Sequence, residues 1–350
     1  MKICKFLRRI SLSVFLALGI ASVPVTSHAA KGVIKLWEQD WTGNLVFTKL
    51  YQILLEEELD YKVKSIYMAG TMGWEAMAAG DLEIALEIWP SYNADAKATY
   101  FAEYGGNGSV SYVSETGVIG ASDYYVPRYV IEGDSARGIE PMAPDLGMHA
   151  RGECNFCGLE KLNQYAELFA TAETAPKGRL VGCPVAGWGC EDQARLDANG
   201  VNFQSVELGT DTAQWAELTA AYNRGDPILV YAWEPLWIFA AFDLVGIGIP
   251  ENVDGACWPA CGWPADATFY AANPEMYDRT PDAIQLLENM KLSNGQQAPM
   301  ILDVDVNGMT VEEAVEKWMN ENEDVWRSWI PSCCLLYTSD AADEGLGVDL

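Results

Sequence analysis

The stretch Arg179–Glu191, RLVGCPVAGWGCE, joins a short apolar run to a loop of small residues carrying one large aromatic, Trp188. The next residues, Cys190 to Ala198, have the composition of a helix that Asn199-Gly200 would stop. Strand, binding loop and helix N-terminus thus follow one another. In open α/β sheets ligands sit outside the carboxyl ends of strands, and free N–H groups at a helix start favour an anionic group there. Gly189 lets a ligand come close to the backbone. One loop can offer an aromatic face to a cation and backbone donors to an anion, and a small zwitterion is the ligand that uses both.

Working outward, the same alternation recurs. Gly32–Trp37 reads as a strand, and Leu45, Val46, Leu50, Ile53 and Leu54 then recur at helical spacing. A second short strand holds Val63 and Ile66, and Thr71–Ala79 reads as a helix closed by Gly80. Across Asp81–Trp89, Leu82, Ile84, Leu86 and Ile88 alternate with Glu83, Ala85 and Glu87, the period of a strand, which ends in Trp89-Pro90. Asp211 and Gln214 resemble a capping box for a helix ending at Gly225, and Ile228–Trp233 is another strand tipped by tryptophan. Thr310 and Glu313 cap a last amphipathic helix carrying Val311, Ala314, Val315, Trp318 and Met319. The alternation predicts an α/β protein with mixed, mostly parallel sheets flanked by helices.

Composition places this fold outside the cytoplasm. Lys2, Lys5, Arg8 and Arg9 precede an apolar run from Ile10 to Val23, and Ser27 and Ala29 fit a small-x-small cleavage site. Residues 1–29 read as a secretory signal peptide, too short and wrongly flanked for a membrane anchor. The formal net charge of the whole chain is −28, and the leader takes basic side chains only. Such acidity argues against nucleic acid and anionic membranes as partners and suits a solvated surface or the steering of a cation. The text after Pro331 continues no periodicity, and residues 332–350 are read as a tail outside the fold.

Cysteines beyond the leader come as local pairs: Cys154 with Cys157, Cys183 with Cys190, Cys257 with Cys261, and adjacent Cys333 and Cys334. In an exported protein such pairs are disulfides more often than metal ligands, although spacing leaves connectivity open. A bond between Cys183 and Cys190 would hold the Trp188 loop in shape before ligand arrives. Two rival chemistries use the same residues. Cys190 at a helix start suits a thiol nucleophile, yet His149 is the one candidate base left after the leader is removed, and it lies in no hydrolase motif. His149 with Cys154 and Cys157 lacks a fourth zinc ligand at suitable spacing. No catalytic residue, metal or cofactor is assigned.

Three tryptophans, Trp89, Trp188 and Trp233, each stand at or just past the end of a predicted strand. Brought together they form an aromatic box, which attracts a quaternary ammonium group through the negative ring faces at about 2 kcal/mol per desolvated contact. GCPVAGWGCE at 182–191, YAWEPLWIF at 231–239 and DLEIALEIWPSYNAD at 81–95 resemble, in that context, the ligand segments of the periplasmic substrate-binding proteins of ABC transporters for glycine betaine and related osmolytes. The similarity runs from about Ile34 to Ile330. It implies a two-lobed binding-protein fold, with lobe one at 30–119 and 258–331 and lobe two at 120–257, crossing near Gly117–Ser122. It implies Trp89, Trp188 and Trp233 as the box and the N–H groups of Gly189 and Cys190 as holders of a ligand carboxylate. It also implies a monomeric periplasmic protein that delivers a quaternary ammonium solute, glycine betaine first, to an inner-membrane permease. Where some members carry a carboxylate-binding histidine this chain has Asn93, and its Cys183–Cys190 loop is one residue longer than usual. Asp40 beside Trp41 offers a different partner, for a choline-like cation with no carboxylate, and choline or carnitine is the alternative ligand of the cleft. An amino acid or sugar in the same cleft is the remaining alternative.

Overall fold

The computed structural model describes residues 31–146, 159–250, 252 and 256–331. The leader, the tail, His149 and the cysteines at 154, 157, 333 and 334 lie outside the described residues. Among the described residues nine strands form the sheet: β1 (Lys31–Glu38), β2 (Tyr61–Tyr67), β3 (Ile84–Ile88), β4 (Ser111–Pro127), β5 (Gly178–Val181), β6 (Phe203–Val206), β7 (Val230–Glu234), β8 (Leu244–Gly246) and β9 (Asp266–Ala272). Their order is β2-β1-β3-β9-β4-β7-β5-β6, with β8 added beside β4.

Each half of this sheet is parallel at its outer strands, where β1 pairs β2 and β3, and β5 pairs β6 and β7. The middle is antiparallel, because β4 and β9 run between the halves. Strand β4 changes partner along its length. Residues 111–120 pair with β9, and from Ala121 the strand pairs with β7. That exchange falls inside the Gly117–Ser122 stretch, where small residues let the strand turn without side-chain conflict.

Helix α1 (Thr42–Glu57) buries Val46, Leu50, Ile53 and Leu54, the positions whose spacing predicts it. Helices α2 (Gly70–Ala79) and α4 (Asp211–Arg224) end on left-handed Gly80 and Gly225; α3 (Asp192–Ala198) lies between them in sequence. Farther on come α5 (Asn294–Asp305) and α6 (Val311–Glu321). The Thr310–Glu313 capping box forms as expected. The N-cap of α4 is Thr210, whose side chain accepts from the Ala213 N–H. Asp211 and Gln214 therefore do not make the box expected of them; Gln214 is buried and donates to the Tyr231 carbonyl. Helix α3 begins at Asp192 rather than Cys190, since Glu191 takes a left-handed conformation.

The alternating segment 81–89 departs furthest from its sequence pattern. Only Ile84–Ile88 is strand, and all five residues are buried. Glu83 accepts from the Lys35 N–H at 2.8 Å and is paired with Arg279 at 2.5 Å. Glu87 has φ +50 and is buried. Both carboxylates are thus buried. Neighbouring donors, which a period-2 pattern does not register, keep them tolerable.

Candidate functional site

A cavity of about 310 Å³ opens at the C-terminal ends of β1, β3 and β7. Trp89, Trp188 and Trp233 all line it, together with Asp40, Trp41 and Asn93. Residues separated by up to two hundred positions meet there because the parallel strands of the two halves run in opposite directions toward the point where β4 changes partner, so that their carboxyl ends face each other across it.

The aromatic wall is continuous. Trp188 meets Trp41 edge-on at 5.7 Å between ring centroids and Trp233 at 5.3 Å. Behind Trp233 stands Trp215, at 5.2 Å. Trp89 packs edge-on with Tyr92 at 6.0 Å, and its ring lies over Gly120, where a Cβ would fall 2.1 Å from the indole. A side chain at position 120 would push Trp89 off the wall. Tyr92 and Tyr231 complete the floor, their hydroxyls 2.8 Å apart, with Tyr92 donating to Ser122 Oγ at 2.5 Å. Burial raises both phenols well above their ordinary range, so they remain neutral donors.

Asp40 brings a formal charge to the cavity edge. It accepts from Trp188 Nε1 at 2.9 Å, and its charge raises the pKa of the neighbouring Tyr67 hydroxyl. No Lys, Arg or His is among the lining residues. Asn93 is committed locally: Oδ1 accepts from Trp74 Nε1 at 2.9 Å and Nδ2 donates to the Trp89 carbonyl at 2.9 Å. Gln39 Nε2, by contrast, is buried at the cavity without a protein partner.

Gly189 and Cys190 stand apart from this group. They line an adjoining hollow of about 460 Å³, and the Gly189 N–H donates to the Ala186 carbonyl at 3.0 Å, closing the turn that presents Trp188. Cys183 and Cys190 are joined by a disulfide with Cα atoms 6.1 Å apart, as are Cys257 and Cys261 at 5.5 Å. Cys190 accordingly carries no thiol in this structure. Asp192 braces the loop by accepting from the Cys183 N–H at 2.7 Å and the Tyr124 hydroxyl at 2.6 Å. Among the described residues no group of three or more His, Cys, Asp or Glu side chains is arranged to hold a metal ion.

Sequence reasoning missed Gln39, Tyr67, Tyr92 and Tyr231 as lining residues. Tyr231 was within reach, since a residue two before Trp233 on one strand shares its face. Tyr92 sits in the same short turn as Trp89. Nothing local marks Gln39.

A two-lobed α/β scaffold with an aromatic cavity between strand ends defines a solute-binding protein of the periplasmic type. The chain belongs to the family of the substrate binding domain of the ABC-type glycine betaine transport system, whose model matches residues 32–321. It is 26% identical to the trimethylamine N-oxide-binding protein of Pelagibacter ubique, over 91% of this chain and 97% of that one. It is 24% identical to the glycine betaine/proline betaine-binding periplasmic protein of Salmonella typhimurium, over 91% and 95% respectively. Its fold is also that of the glycine betaine/L-proline-binding protein of Borrelia burgdorferi, with a TM-score of 0.66 at 13% identity, covering 86% of this chain and 98% of that one. Among the described residues no helix is long and apolar enough to cross a membrane.

Proposed function

We propose that this protein is an exported monomer that captures a small methylated ammonium solute in the tryptophan cavity and hands it to an ABC transporter permease. The observation that carries the reading is the convergence of Trp41, Trp89, Trp188 and Trp233 on one cavity whose one formal charge is the carboxylate of Asp40. Ring faces attract a cation that is too alkylated to hydrogen-bond and weakly hydrated to begin with, and each contact contributes about 2 kcal/mol once desolvated. The protein is read as a carrier and not an enzyme. Lobe one comprises residues 30–119 and 258–331 and lobe two residues 120–257, the lobes closing by bending where β4 changes partner.

Glycine betaine is the first ligand to test, with its carboxylate held by the N–H groups of Gly189 and Cys190. A second reading has its own support. The cavity has no basic side chain, Gly189 spends its N–H within the turn, and Asp40 and Gln39 lie at the wall. These features favour a ligand without a free carboxylate, such as choline or trimethylamine N-oxide, the solute named for the Pelagibacter relative. Calorimetric titration with all three ligands separates the two readings. Tightest binding of glycine betaine supports the N–H clamp, whereas tighter choline or N-oxide binding moves selection to Asp40 and Gln39. Absence of binding to any of the three would reject the methylated ammonium class.

A further inference from the structure

Glu87 is a buried carboxylate one hydrogen bond away from the aromatic wall, and the proposed function leaves it unused. Its Oε2 accepts from Trp41 Nε1 at 2.8 Å, and its Oε1 accepts from Gln297 Nε2 at 2.9 Å. The partners are an indole and an amide, not a cation. The site is shaped around this carboxylate: a Cβ on Gly43 would fall 2.8 and 2.9 Å from its two oxygens. The backbone of Glu87 is itself left-handed, with φ +50, and the pairing of β3 with β9 shifts register between Ala85 and Ile88. An L side chain is strained in that conformation, and strand irregularities of this kind can re-aim a side chain.

We infer that Glu87 is a positioning residue that acts on the bound cation through Trp41. Its carboxylate fixes the indole against the cavity and, by accepting the N–H, makes the ring face more negative toward the ligand. A hydrogen bond to an ionised acceptor polarises the donor group, and the attraction of a cation to a ring follows the negative charge on its face. Burial raises the Glu87 pKa and the indole and amide donors oppose it, leaving it at about 7, so the ionised form is present at neutral pH and dominates above it. A merely structural acceptor for the Trp41 N–H would be served as well by a neutral amide. The inference rests on the reading of this cavity as a methylated ammonium site.

The test compares choline with 3,3-dimethylbutan-1-ol, its uncharged carbon isostere, on the mature protein at about pH 8.5, where Glu87 is ionised. Dissociation constants are measured for the wild type, Glu87→Gln and Trp41→Phe. Glu87→Gln keeps an acceptor and removes the charge. It is expected to weaken choline by about five- to tenfold while leaving the isostere nearly unchanged. Equal weakening of both ligands, or no change in either, would overturn the inference and leave the site reading intact. A wild type that binds none of choline, glycine betaine and trimethylamine N-oxide would overturn both; where it binds glycine betaine and not choline, the wild type and Glu87→Gln are compared with glycine betaine, and unchanged affinity overturns the inference alone. Should Glu87→Gln fail to fold, Trp41→Phe, which keeps a ring but loses the N–H, carries the same comparison; an unchanged preference for choline would count against the inference.

Discussion

Trp188 lines the cavity and is less buried than Trp89 and Trp233. It is partly exposed, touches Trp41 and Trp233 at its ring edges and ties Asp40 by its indole N–H. Trp188→Ala should therefore weaken ligand binding by about 30-fold or more, the equivalent of one desolvated cation–π contact, with little change in the unfolding midpoint. Titration calorimetry together with thermal melts checks both halves. Asp40→Asn removes the charge while keeping the shape of the wall. It is expected to weaken choline more than glycine betaine, and an equal loss for both ligands would assign Asp40 to structure alone. Trp89 was legible at this scale because a large aromatic capped an alternating strand and preceded a proline. The burial of Glu87 was not, since nothing in its neighbours reveals that Gln297, 210 positions on, will donate to it.

At the scale of the element, the loop between β5 and α3 shows how local chemistry prepares a site. The Cys183–Cys190 disulfide, the Gly189 turn bond and the Asp192 carboxylate each constrain the same few residues. Replacing both cysteines by serine should cost about 2 kcal/mol of stability, as expected for closing so short a loop. It should also weaken binding, because Trp188 is then no longer ordered beforehand. Denaturant unfolding and calorimetry of the double variant measure the two effects separately; unchanged affinity would mean that the turn alone holds the loop. Spacing offers this pair as a disulfide and leaves the connectivity open; the structure joins the two cysteines. The start of α3 did not follow from the sequence, because the left-handed Glu191 is set by how the loop packs and not by its composition.

For the whole molecule, buried carboxylates set the direction of pH dependence. Glu87 is raised from 4.5 to about 7 and Asp211 from 3.8 to about 6, burial being the largest cause for each. The folded state thus binds protons that the unfolded chain has released, so their contribution to stability is complete below the unfolded values of 3.8 and 4.5 and is lost as pH rises from there through about 6 for Asp211 and about 7 for Glu87. For Glu87 that loss is about 3 kcal/mol when complete. The ligand-free protein should melt at a higher temperature at pH 6 than at pH 8, and Glu87→Gln should flatten this slope; a midpoint that rises with pH across that range would contradict the assignment. Ligand-driven closure is a second property at this scale. Small-angle scattering should show a smaller radius of gyration with saturating ligand than without, and equal dimensions would argue against hinge closure at β4.

Composition and periodicity by themselves determined the α/β alternation, the acidic surface and the strand-end tryptophans, because each is written in contiguous residues whose spacing matches a helix or a strand. Tertiary structure alone decided which strand ends share a cavity, that Gln39, Tyr92 and Tyr231 join its wall, and that Gly189 and Cys190 line a neighbouring hollow. It also enclosed both glutamates of an apparently half-exposed strand. The reason is physical: periodicity reports which side of an element a residue occupies. What covers that side depends on β9, α5 and the two-way pairing of β4, contacts made across hundreds of residues that no local pattern encodes.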